Sequence, residues 1–317
     1  MFGKDAYIRI ERVNAIMKLV TIEDNGPQRL GVKLDGKIID IGSALNRLPD
    51  EEVPADVMDV IAGGEKALAA ISGYAERLLQ SGAYTDALFL REEDIRFGPC
   101  VTRPNKIICV GLNYRKHAVE TNAPIPQYPI LFNKFNNTLT GHGKDVALPE
   151  RVTSQVDYEA ELAIVIGKTA KYVSKEEALQ HVFGYCNVND LSARDLQMRT
   201  AQWLLGKSCD GFSPLGPYLV TADEIENPND LEIKCLVNGE VRQHSNTSDM
   251  IFACDEIVSY ISQHMTLVPG DIILTGTPEG VVLGYPEEKR VYLKHGDVVT
   301  IEIEKLGSLT NRMVNEA

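Results

Sequence analysis

The sequence predicts a β-rich α+β domain. Short strand-like runs outnumber helical ones, and their connections are irregular rather than a regular strand–helix alternation. Asn238-Gly239 joins two of the runs with the dipeptide that most strongly favours a hairpin.

The elements follow in chain order. Lys18 to Ile22 and Leu30 to Leu34 are apolar or alternating runs, and Asp35-Gly36 makes a turn before a third run at 37–41. Residues 56–80 carry apolar side chains at helical spacing, interrupted by Gly63-Gly64. Strands and helix together make a small α/β module over residues 17–100, and Phe97-Gly98-Pro99-Cys100 with Arg103-Pro104 reads as its linker. Residues 1–16 precede the first strand-like run and read as an extension outside the core fold. Further strands are expected at 106–111, 161–167, 218–220, 231–237, 271–275 and 297–303, and helices near 174–181, 192–203 and 251–264.

The composition narrows the function. In 317 residues, 44% hydrophobic and 24% charged is the make-up of a folded globular protein. A net charge of -13 speaks against a nucleic-acid partner, which needs a basic footprint, and against an anionic membrane surface. No run approaches the roughly 20 apolar residues of a membrane span, and the charged N-terminus lacks the apolar core of a signal peptide. The six cysteines form no C-x-x-C pair and read as reduced core residues of a cytoplasmic protein.

Five segments bear on chemistry. In Asp157-Tyr158-Glu159-Ala160-Glu161, strand alternation points Glu159 and Glu161 the same way. Their repulsion is relieved by a hard divalent cation, although a solvent-facing strand edge shows the same pattern. Asp190 ends a strand-like lead before a helical segment, where it can cap the helix or supply a third carboxylate ligand. Three carboxylates completed by water and a chelating substrate suit Mg2+ or Mn2+. Lys207 sits in an uncharged stretch, either buried against an anion or exposed at a loop. His117 and Glu120 lie three apart, as in an oriented general base or a plain surface pair. Leu274-Thr275-Gly276-Thr277-Pro278-Glu279-Gly280 offers N–H and hydroxyl donors to an anion, or is simply a tight turn.

Taken in order, these motifs closely resemble the fumarylacetoacetate hydrolase family over residues 104–313. The resemblance rests on Gly111-Leu112-Asn113-Tyr114 with His117 and Glu120, on Asp157 to Gly167, and on Asn189 to Gln197. Gly206-Lys207-Ser208, Ser248 to Phe252, and Gly270 to Val281 complete it. It implies a rolled, incomplete β-barrel behind a small variable N-terminal domain, and a homodimer. It also implies metal ligands Glu159, Glu161 and Asp190, a lysine beside metal and substrate at Lys207, and a catalytic pair His117–Glu120 on a segment that orders over bound substrate. Lys134, Arg194, Gln197 and Thr277 fall where the family lines its substrate pocket. The implied reaction is C–C cleavage of a short 2-oxo acid, as in acylpyruvate hydrolysis or oxaloacetate decarboxylation. The alternative is isomerisation of a 2-hydroxy-diene-dioate by the same enolate chemistry. The loops 121–128 and 285–289 are expected to set the substrate.

Overall fold

The computed structural model describes residues 17–24, 26–34, 36–80 and 88–316. The expected extension 1–16 and Asp35 of the first turn lie outside the described residues. The N-terminal strands are β1 (Lys18–Ile22), β2 (Arg29–Leu34), β3 (Lys37–Asp40) and β4 (Phe89–Arg91), with α1 (Ile41–Leu45) and α2 (Val57–Gln80) between the last two. The middle of the chain gives β5 (Ile107–Gly111), α3 (Arg115–Glu120), β6 (Ile130–Lys134), β7 (Leu139–Thr140) and β8 (Asp145–Leu148). It continues with β9 (Val156–Asp157), β10 (Ala160–Ile166), α4 (Lys175–Ala178) and β11 (Val182–Asn189). Next come β12 (Ser192–Ala193), α5 (Arg194–Gln197), α6 (Leu204–Lys207) and β13 (Ser213–Thr221). Last are β14 (Glu232–Val237), β15 (Glu240–Asn246), α7 (Cys254–His264), β16 (Ile272–Leu274), β17 (Val298–Ile303) and β18 (Gly307–Asn315).

The β-rich α+β class holds. The largest sheet runs β4-β3-β2-β1-β13-β11-β10-β16-β5-β6, with β7 attached to β13, and it does not close on itself. The N-terminal strands thus share a sheet with strands of the later half of the chain, through the antiparallel pairing of β1 with β13. A second sheet, β15-β14-β17-β18-β8, contains the Asn238-Gly239 hairpin, where Asn238 (φ 54°) and Gly239 (φ 81°) take the left-handed backbone such a turn requires.

Alternation along the central strands builds two cores. In β10, Leu162, Ile164 and Ile166 enter one cluster with α7 and the second sheet. Ala163 and Val165 enter the other, which α2 covers with Val57, Val60, Ile61, Ile71, Tyr74 and Leu78. A strand buried on both faces reads as a continuous apolar run, which is why Leu162 to Ile166 carries no polar residue. Cys100, Cys109, Cys186, Cys235 and Cys254 are buried free thiols, and Cys209 is half-buried.

One expected helix is much shorter. The segment expected to be helical over 192–203 gives only the single turn of α5. Beyond it, Thr200 Oγ1 accepts from Gln202 N and donates to Gln202 O, a local turn that competes with helix continuation. The expected break in the 56–80 helix is real: Gly64 takes φ 54° and ψ −137°. That conformation is closed to residues with a Cβ, yet the space around it is open. Replacement by alanine therefore adds backbone strain alone. Gly64→Ala is expected to cost roughly 1–3 kcal/mol, read as a lower Tm, with kcat/KM unchanged because α2 packs on the core rather than on the site described next.

Candidate active site

The site forms where β10 and β11 end. Their antiparallel register sets Ala160 opposite Asn189 and Glu161 opposite Val188. Two further bonds extend the pairing: Asp190 N donates to Glu159 O at 2.9 Å, and Glu159 N donates to Asn189 Oδ1 at 3.0 Å. Glu159, Glu161 and Asp190 are thereby brought together, each 4% exposed or less. Their ligand oxygens lie within 4.8 Å of one another.

Glu159 and Asp190 are matched by cations. Lys207 Nζ donates to Glu159 Oε2 and to Asp190 Oδ2, both at 2.7 Å. Arg194 Nη2 lies 2.8 Å from Glu159 Oε1, and Lys134 Nζ donates to Asp190 Oδ1. Burial pushes the Glu159 carboxyl up, but Lys207 and Arg194 outweigh it and hold the group down at about 2. Burial likewise favours the neutral Lys207 amine, yet Asp190 and Glu159 raise its affinity for the proton above the ordinary value.

Glu161 is different. Its Oε2 accepts from Gly276 N at 2.8 Å, and among the described residues no lysine or arginine pairs with it. Burial, then Asp190 and Glu159, push its carboxyl well above the usual range. Three close carboxylates in a low-dielectric centre, one without a counter-charge, are a donor set fitted to a hard divalent ion. Carboxylate oxygens that already accept one hydrogen bond keep a second lone pair for such an ion.

Most of the residues expected from sequence converge here. A cavity of about 570 Å³ opens on the centre, and His117, Glu120, Arg194, Gln197, Lys207 and Thr277 are in its lining. His117 Nδ1 bonds Glu120 Oε1 at 2.7 Å, and Gly280 N donates to Glu120 Oε2 at 2.9 Å, so the imidazole is oriented and its Nε2 is left for the cavity. Thr277 Oγ1 donates to Ala160 O at 3.0 Å and accepts from Gln243 Nε2 at 2.9 Å. Arg194 Nη1 donates to Gln197 Oε1 at 2.9 Å. Lys134 is outside the lining: it is wholly buried behind Asp190, where its Nζ also donates to Phe212 O at 2.7 Å. Asp190 does not cap α5, whose N-cap is Ala193.

Sequence reasoning passed over four residues that shape the site. Asp157 accepts from Arg194 Nε at 2.8 Å and from the backbone N–H groups of Val282 and Leu283 at 2.9 and 3.1 Å. Its place in the D-Y-E-x-E run was the signal that could have found it. Asn113 holds the segment carrying His117: Phe252 N donates to its Oδ1 at 2.8 Å, and its Nδ2 donates to Phe252 O and Thr275 O. Ser248 to Phe252 is therefore a strap under α3. Trp203 packs on β5 where Gly111 leaves room, since a Cβ there would meet the indole at 2.4 Å. Gly206 has the same role against α5, where a Cβ would meet Gln197 N at 2.5 Å and Ala193 O at 2.6 Å.

Residues 106–314 match the family model described as fumarylacetoacetate (FAA) hydrolase C-terminal. The chain is 42% identical over 304 residues to the Xenopus laevis protein named oxaloacetate tautomerase fahd2, mitochondrial, covering 94% of this chain and 90% of that one. It is 42% identical over 302 residues to the Bacillus subtilis oxaloacetate tautomerase YisK, covering 94% of this chain and all of the relative. Among solved structures, maleylpyruvate hydrolase from Sphingobium sp. SYK-6, in complex with manganese(II) and pyruvate, superposes with a TM-score of 0.75 at 31% identity, covering 95% of this chain and all of that one.

Two outcomes test the site. With divalent ions stripped by a chelator, Glu161→Gln is expected to melt no lower than the wild type, because it replaces a buried carboxyl that has no cation partner among the described residues by a neutral amide of the same shape. Wild type at about 100 times the ion's dissociation constant gains about 2.7 kcal/mol; the variant is expected to gain almost none, by thermal melts with and without Mn2+. Gly206→Ala is expected to displace α6, lowering kcat/KM by at least about 10-fold, the loss in transition-state stabilisation that a misplaced charged group brings.

Proposed function

The chain belongs to the fumarylacetoacetate hydrolase family, and on that premise we propose that it uses Mg2+ or Mn2+ to interconvert the enol and keto forms of a short 2-oxo acid, with oxaloacetate as its leading substrate. The observation that carries the proposal is Glu161, a buried carboxylate that among the described residues pairs with no lysine or arginine, next to two carboxylates shared by Lys207 beside the cavity.

Bound among Glu159, Glu161 and Asp190, the ion supplies Lewis-acid pull on a 2-oxo group and its neighbouring carboxylate. Lys207 holds a fixed positive charge beside the oxygen that gains negative charge as the enol forms. His117, set by Glu120, takes the proton from the carbon next to the carbonyl and returns it. Arg194 is tied to Asp157, Glu159 and Gln197, so its role is to fix the ligand carboxylate. Lys134 plays the same part for Asp190. Phe132 and Trp203, whose rings meet edge-on at 5.3 Å, form an apolar wall that limits water. The same unit is proposed to be a homodimer acting on a dissolved substrate in the cytoplasm; among the described residues no helix is long and apolar enough to cross a membrane.

A second reading is C–C cleavage of an acylpyruvate, or decarboxylation of oxaloacetate. It is supported by the likeness to maleylpyruvate hydrolase and by the His117–Glu120 pair, which is equally suited to drawing a proton from water. Loss of enol absorbance from oxaloacetate and release of pyruvate from acetylpyruvate, each with Mg2+ and with Mn2+, separate the two. Fast enol loss without pyruvate release supports tautomerisation; pyruvate release at comparable rates favours cleavage. A 2-hydroxy-diene-dioate in the same panel tests the isomerase alternative. In whichever assay is positive, His117→Ala is expected to lose about 10²–10⁴-fold in kcat while calorimetry shows ion binding unchanged. Full activity in that variant ends the proton-transfer role. Glu159→Ala is expected to lose both the bound ion and turnover.

A further inference from the structure

The charges around the centre do not stop at the three carboxylates. Asp157, Glu159, Glu161 and Asp190 make four buried anions, and Lys134, Arg194 and Lys207 make three buried cations. All three cations are committed to those anions at close range. Counted with all four carboxylates ionised, the group is formally one negative charge in excess, which a bound divalent ion would turn into one positive charge. That surplus matches a single carboxylate, the one adjoining the 2-oxo group.

A dicarboxylate brings a second charge into the same cavity. Part of its wall is apolar, formed by Leu112, Phe132, Met198, Trp203 and Leu283. An anion desolvated against such walls needs a cation of its own. One lining residue meets that need. Arg290, half-buried, follows the substrate-loop turn Glu287–Lys289. Its Nε donates to Tyr285 O at 2.9 Å, which fixes the plane of the guanidinium, and its side chain also contacts the Tyr292 hydroxyl. Among the described residues no carboxylate pairs with Arg290, unlike Arg194 and Lys207 in the same lining.

We propose that Arg290 is the specificity residue of the cavity: it receives the distal carboxylate of a 2-oxo dicarboxylate whose 2-oxo acid end sits at the Glu159–Glu161–Asp190 centre. This deepens the function proposed above and rests on it. A planar fork with one edge anchored presents its remaining N–H groups to a carboxylate at little ordering cost. The chain thereby selects diacids over 2-oxo acids with an uncharged distal end. Arg290 directly follows the loop 285–289 that the family resemblance implies sets the substrate, so substrate choice in this chain is carried by an arginine outside the quoted motifs.

The test is direct binding to the Mn2+-loaded protein by calorimetry, so turnover is not needed. Three probes are used: 3,3-difluoro-oxaloacetate, which cannot enolise; its 4-methyl ester, which lacks the distal charge; and oxalate, which fills the 2-oxo acid end alone. Wild type is expected to prefer the diacid to the ester by about 10–100-fold, the worth of a charged hydrogen-bonded pair. Arg290→Gln is expected to lose that preference while keeping the affinity for oxalate, and Arg290→Lys to keep part of it. Equal weakening of all three probes in Arg290→Gln would mean that the residue only supports the loop, and overturns the proposal. So does a wild type that binds oxalate but prefers neither diacid nor ester; the function proposed above then still stands. A wild type that binds none of the three overturns both.

Discussion

Everything in this structure is arranged around the cost of holding Glu159, Glu161 and Asp190 together out of water. Like charges this close, buried this deeply, repel strongly unless each has a partner. Lys207 sits between two of them and contacts both at 2.7 Å. Arg194 and Lys134 close the outer sides of Glu159 and Asp190. Among the described residues Glu161 has only the Gly276 backbone N–H, and Gly276 itself takes φ +97° against Val110 O and Asn113 Cβ, a fit that leaves no room for a side chain. The asymmetry is informative. Two carboxylates are held in their charged form by cations, and the third has no cation partner among the described residues, which fits the proposed ion site.

The backbone determines that this cluster exists at all. Glu159 and Asp190 are neighbours because β10 and β11 pair antiparallel and run out of ladder at the same end. Lys207 reaches them because α6 packs on α5 at Gly206 without a Cβ between them. Lys134 arrives from the edge strand β6, hydrogen-bonded to β5 with Ile107 opposite Lys134. The ligands thus come from the rigid centre of the sheet. The groups assigned to proton transfer and substrate choice come from α3 and the loops, where geometry can vary without disturbing the ion site.

How much of this was legible in the sequence follows the range of each interaction. The carboxylate pair at 159 and 161 was readable from strand alternation, since that period is local. The His117–Glu120 bond was readable from helical spacing for the same reason. Family resemblance then named Asp190, Lys207 and the cavity residues, and the fold class followed from the balance of strands and helices. What stayed hidden depends on long-range contact. Lys134 lies 56 residues from Asp190, and only the fold shows that its ammonium is spent behind the ligand and does not face the cavity. The helix expected over 192–203 failed because Thr200 closes a turn on Gln202, a competition that periodicity does not register. Arg290 carried no signal beyond its place beside a variable loop.

The hydrogen bonds also join the loop-and-α3 side of the site to its sheet side. Glu120, which orients His117, accepts from Gly280 N and packs on Gly284, where a Cβ would come within 2.4 Å of its carboxyl carbon. The next residues of that loop, Val282 and Leu283, donate to Asp157, and Asp157 grips Arg194, which grips Glu159. A continuous chain of contacts therefore runs from the imidazole through the 280–284 backbone to a ligand carboxylate. His117 and Glu120 both lie on α3, so a movement that lifts α3 would break the Glu120–Gly280 bond and carry the imidazole away from the centre together with its orienting partner. The proposed general base thus faces the centre through contacts made by α3 in this position. For the proposed enol chemistry, this contact chain ties the position of the proton-transfer group to that of a ligand carboxylate, so the two are held in one geometry.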